Sequence, residues 1–111
     1  MPIRRGILAL VLAAPALLPG GPALARPGSD RCERELALTE IRLRETSERL
    51  RRTRTATAPH RCAALRDHVR IMGRAAETFR RCTSGHHARE NVAQMQGSIA
   101  DVREIIARTC R

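Results

Sequence analysis

Four cysteines, Cys32, Cys62, Cys82 and Cys110, and four histidines, His60, His68, His86 and His87, are the side chains best suited to chemistry in this chain. The densest group is "RRCTSGHHARE", Arg80 to Glu90, where a thiol, two imidazoles and a carboxylate fall close together. Thiolate, neutral imidazole and carboxylate are the standard protein ligands for zinc and similar ions. Two mixed sites are conceivable: His86 or His87 with Cys82 and Cys32, and His60 with Cys62 and Cys110. Both need reduced thiols. His68 flanks an apolar stripe and is read as a packed side chain.

Those residues must be held by helices. Asp30 with Glu33 forms a D-x-x-E variant of the capping box and predicts a helix from about residue 30 to residue 57. Its stripe carries Cys32, Leu36, Leu43 and Leu50, with Thr39, Thr46, Thr53 and Thr57 at the remaining positions, so that face is only moderately apolar. Leu38 and Ile41 lie off the stripe and are a candidate homodimer contact. Pro59 suits the first turn of a second helix, where its missing N–H would lack an intrahelical partner anyway. There Cys62, Leu65, Val69, Met72, Ala76 and Phe79 keep a strict alternation of three and four, while Arg66, Arg70, Arg74 and Arg81 line up with Asp67 and Glu77 as a solvated face.

The Cys82–Glu90 stretch then reads mainly as a joint. "TSG" supplies a turn, Gly85 can take positive φ, and a third helix starts near His86 with Glu90 in its first turn. Val92, Met95, Ile99, Val102 and Ile106 repeat at helical spacing, and Ile105 widens the stripe. Gly73 and Gly97 interrupt the second and third helices, either to admit another backbone or as soft spots.

Helix length decides which cysteines can meet. At 1.5 Å per residue, Cys32 and Cys62 stand roughly 40 Å apart and Cys62 and Cys82 roughly 30 Å apart, whereas a disulfide needs Cα atoms within about 7 Å. Cys82 with Cys110 fails likewise. The remaining pairing is Cys32–Cys82 with Cys62–Cys110, which an up-down-up arrangement with short turns satisfies at both ends. The expected fold is an all-α, antiparallel three-helix bundle with those two disulfides. The two cysteine pairs then lie a helix length apart, which rules out a site built from all four thiolates.

Residues 1–25 have the layout of a cleaved signal peptide: Arg4 and Arg5, an apolar run from Ile7 to Leu18, and small residues Ala23 and Ala25. The domain is then 26–111, exported to a periplasm or the extracellular space, where disulfides persist. The apolar run is too short to span a bilayer. No transmembrane segment is expected after its removal.

The formal net charge is +10, and all 21 basic residues are arginine, a preference that codon usage alone also produces. Arg42, Arg44, Arg49, Arg51, Arg52, Arg54 and Arg61 crowd the end of the first helix and the following turn and are the candidate anion-binding residues. The expected partner is an acidic protein or an anionic envelope or lipid surface, met through guanidinium contacts that weaken with salt. With no Trp, no Tyr and one Phe, the chain lacks the stacking platforms of single-strand readers, and sequence-specific nucleic acid recognition is not expected.

No enzyme is expected, since no Ser, His and acid are fixed by a motif. No cofactor is expected either, and the C-x-x-C-H haem pattern is absent. The chain therefore reads as a small, exported, disulfide-stapled binding module. The alternative is an extracytoplasmic metal-binding or metal-sensing protein using His60, His86 and His87 with the cysteines.

Overall fold

The structure, a computed structural model, describes residues 26–111; the expected signal peptide, residues 1–25, lies outside the described residues. They form three helices and, among the described residues, no strand: α1 (Asp30–Arg52), α2 (Ala58–Cys82) and α3 (His86–Thr109). None of these helices is long and apolar enough to cross a membrane.

The N-cap of α1 is Ser29, one residue earlier than the capping-box pattern implies. Its Oγ accepts from the Cys32 N–H at 3.1 Å, which leaves Asp30 and Glu33 inside the first turn, where carboxylates favour the positive end of the helix dipole. The helix also stops at Arg52 and not near Thr57. Thr53 ends it by donating its hydroxyl to the carbonyls of Arg49 and Leu50, and the following residues, rich in threonine, gain little from a helical conformation. α2 starts with Pro59 in its first turn, as expected, and Gly85 takes φ 92° immediately before α3.

Both expected disulfides are present. Cys32 is bonded to Cys82 with Cα atoms 5.2 Å apart, and Cys62 to Cys110 at 5.7 Å. By the chain-entropy account each closes a loop worth about 4 kcal/mol, a large share of the stability of so small a domain. Between α1 and α2, Arg81 bonds to Glu35 at 3.0 Å and Arg49 to Asp67 at 3.2 Å. Together with Cys32–Cys82 these pairs show partner numbers falling along α2 as they rise along α1.

The helices do not close into a symmetric triangle. α2 is the central element, packed against α1 on one side and α3 on the other, while no Cα of α1 comes within 8 Å of a Cα of α3. That explains why α2 buries two faces. Met72 and Ala76, on its periodic stripe, form a cluster with Ile99 that Leu43, Val69, Met95 and Val102 flank. Ala64, Ala75, Thr78 and Cys82 are buried as well. Small residues there let a neighbouring backbone approach closely, and their apolar signal is too weak to show as a stripe.

On α1 the order of burial inverts the order of hydrophobicity. Thr39 and Thr46 are buried, whereas Leu36, Leu43 and Leu50 are only half-buried. The threonines face the tightly packed α2, and the leucines face the gap toward α3.

Candidate functional site

The arginines singled out by the sequence divide into groups once the helices are placed. Arg51, Arg54 and Arg61 line a groove between the end of α1, the start of α2 and the last turns of α3. Arg42, Arg49 and Arg52 lie on the other side of α1, in a shallow hollow with Glu45 and Asp67. Arg44 is exposed and lines neither.

Carboxylates compensate these groups unequally. Asp67 accepts from Arg49 and from Arg70, and these contacts, led by the hydrogen bond from Arg70, hold its carboxyl below the usual aspartate value. Glu48 lies 3.8 Å from Arg51 and 3.9 Å from Arg52. Arg61 donates to the carbonyl of Ala56. Among the described residues Arg42, Arg44, Arg54 and Arg61 have no carboxylate within ion-pair distance.

The tertiary structure adds arginines that sequence proximity did not collect. The Cys62–Cys110 bond carries the end of α3 to the start of α2, where Arg66 donates to the Cys110 carbonyl at 3.3 Å, so Arg103, Arg108 and Arg111 join the same half of the molecule. The half made of residues 42–70 and 98–111 holds 12 arginines against 5 carboxylates, a net side-chain charge of +7. The half made of residues 26–41 and 71–97 holds 7 against 6, a net +1. Nearly all the excess charge is therefore at one end. The N-terminus of α2 lies there too, with no acidic residue in its first turn, but so do the C-termini of α1 and α3, so the helix dipoles there do not add to the excess and the positive potential comes from the arginine side chains.

The histidines are dispersed. His60 is in the first turn of α2 and His86 and His87 are in the first turn of α3, about 36 Å away along α2 at 1.5 Å per residue. His86 Nε2 lies 3.0 Å from Glu90 and His87 Nδ1 lies 3.8 Å from it. No three His, Cys, Asp or Glu side chains converge as a metal cluster among the described residues, and all four cysteines are bonded, so no thiolate is on offer. The Cys82–Glu90 stretch is the α2–α3 joint.

Leu38 and Ile41 are 51% and 47% exposed. Leu38 borders a hollow whose rim includes Arg42, Arg74, Arg81, Glu35 and Glu77, so charges of both signs surround it. A separate hollow at the α2–α3 turn, lined in part by Phe79 and Val92, carries Arg80 and Arg89, and Arg80 is already engaged by Glu77 at 3.0 Å.

No family model, no curated protein and no solved structure matches the chain. The functional reading rests on the residues and their geometry.

Proposed function

We propose that this protein is an exported, non-catalytic binding module, an up-down-up bundle that docks to an acidic protein or an anionic envelope or lipid surface through its arginine-rich end. The observation that carries the reading is the division of charge, +7 in one half against +1 in the other. Solubility and codon preference give no bias toward one end, and the helix dipole favours arginine only in the last turns of α1 and α3, which accounts for Arg49, Arg51, Arg52 and Arg108 but not for Arg42, Arg44, Arg61 and Arg66. Such a pole raises the local concentration of polyanions and steers their approach. The two disulfides and the signal-like segment support export, because an oxidising compartment preserves such bonds.

Guanidinium groups suit this role better than ammonium groups, since their planar fork meets phosphate or carboxylate oxygens in pairs. Solvent-exposed contacts of this kind are screened over roughly 8 Å at physiological ionic strength. Binding should therefore be strong at low salt and fall steeply with added salt.

Co-sedimentation of residues 26–111 with phosphatidylglycerol-containing vesicles, and calorimetry with polyphosphate, each across a salt series, test the proposal. Changing Arg51, Arg52, Arg54 and Arg61 to Gln should abolish most binding, whereas changing Arg31, Arg34, Arg80 and Arg81 to Gln should leave it largely intact. Absence of binding to either polyanion at low salt, or equal losses from the two sets, would overturn it.

A further inference from the structure

The arginine end offers an apolar floor as well as charge. Because α1 and α3 both lean on α2 without approaching one another, the groove between them exposes Leu50, Leu65, Val102 and Ile105, the last 38% exposed. Arg51, Arg54 and Arg61 stand around that floor, and no carboxylate lines it. Its volume is about 480 Å³, within the range of about 300–1,000 Å³ common for small-molecule sites.

We infer that this groove binds a single-chain lipid phosphate, its acyl chain on the four aliphatic residues and its phosphate among the three guanidinium groups. The inference rests on the anion-docking reading above and narrows it to one ligand chemistry. Arg54 and Arg61, which have no carboxylate within ion-pair distance, together with Arg51, which only a half-exposed Glu48 outside the groove approaches at 3.8 Å, match a phosphate, which carries up to two negative charges and three acceptor oxygens, better than a single carboxylate. The groove is also short. Toward the middle of the bundle Leu43 packs on the Met72–Ile99 cluster and closes the seam. A partner helix would need a longer track, since helix-in-groove binding uses anchors spaced over two or more turns, and only Val102 and Ile105 of α3 line this one.

The test uses residues 26–111 with both disulfides formed and dodecyl phosphate below its micelle concentration. Inorganic phosphate controls for the head alone, and dodecyl maltoside for the chain with a neutral head. Calorimetry should give one site for dodecyl phosphate, at least about tenfold tighter than either control. Methyl resonances of Leu50, Leu65, Val102 and Ile105 should move together. Ile105→Gln, at an exposed position that folding tolerates, should weaken dodecyl phosphate binding while leaving polyphosphate binding unchanged. Arg54→Gln should weaken both.

Dodecyl phosphate binding no tighter than inorganic phosphate, with polyphosphate still bound, would overturn the groove and leave the anion-docking reading standing. Loss of polyphosphate binding as well would remove both. An acidic amphipathic peptide that moves the same methyls while dodecyl phosphate does not would assign the groove to a protein helix and overturn the lipid proposal.

Discussion

The Oε2 of Glu35 lies 3.7 Å from the Sγ of Cys82, its carboxylate held across the Cys32–Cys82 bridge by Arg81, 3.0 Å from Oε2, and by Arg31, 3.3 Å from Oε1. The contact is not a hydrogen bond, because a bridged sulfur carries no proton. It does cover the bond. Cys32 and Cys82 are both buried, whereas Cys110 is half-exposed at the arginine-rich end, whose charge attracts a thiolate. Thiol–disulfide exchange depends on access of the attacking anion. A limiting dose of dithiothreitol should therefore open Cys62–Cys110 well before Cys32–Cys82, as followed by alkylation and peptide mass spectrometry. Glu35→Ala should narrow the gap. Simultaneous opening in the unaltered protein would refute the argument from burial.

Thr46 Oγ1 and His68 Nδ1 are buried without a hydrogen-bond partner. The antiparallel register set by Cys32–Cys82 places them level with one another on α1 and α2. An unpaired buried hydroxyl costs about 1–3 kcal/mol. Thr46→Val keeps the shape and removes the polar atom, so it should stabilise the domain by about 1 kcal/mol, raising the thermal midpoint by several degrees. A lowered midpoint would mean that the hydroxyl does have a partner in solution.

Burial pushes the His68 pKa below its ordinary value of 6.5, and the neighbouring Asp67 charge only partly opposes the shift. The unfolded chain then binds the proton more readily than the folded one. The contribution of His68 to stability is complete above pH about 6.5 and is lost as the pH falls from there through the folded-state value. Asp67, also depressed, keeps its contribution above about 3.8 and loses it only at more acid pH, so the two windows separate. Urea midpoints at pH 7.5, 6 and 5 should decline for the unaltered protein and flatten for His68→Leu. An unchanged slope in that variant would place the titration elsewhere.

A methyl group at Gly73 or Gly97 would meet no heavy atom within 4 Å. Neither glycine admits a neighbouring backbone in this chain. Each sits inside a helix, where Gly is less favourable than Ala by about 0.5–1 kcal/mol. Gly73→Ala and Gly97→Ala should each stabilise by about that amount, and the effects should add because the sites share no contacts. Chemical denaturation of the two single variants and the double variant checks this. A loss of stability at either site would point to an interface that needs the glycine.

The helices, their joints and the pairing of the cysteines were legible in the sequence, because a helix is a ruler. Apolar residues at alternating spacings of three and four marked the faces, Pro59 and Gly85 marked the joints, and a rise of 1.5 Å per residue forbade every cysteine pairing but one. The end of α1 was misplaced because the competition between a threonine side chain and the helix backbone is a balance of tenths of a kcal/mol.

Only the tertiary structure decided what the faces enclose. Thr39, Thr46, Ala64, Ala75 and Thr78 are buried because α1 and α2 approach closely, and closeness is a property of two backbones that no one-dimensional pattern encodes. The gap between α1 and α3, which leaves Leu50 and Ile105 uncovered, follows from both helices choosing α2 as partner. The arginine-rich end is the intermediate case. Its first seven members were close along the chain, but Arg103, Arg108 and Arg111 reached it through the Cys62–Cys110 bond, which converts a separation of 48 residues into 5.7 Å between Cα atoms.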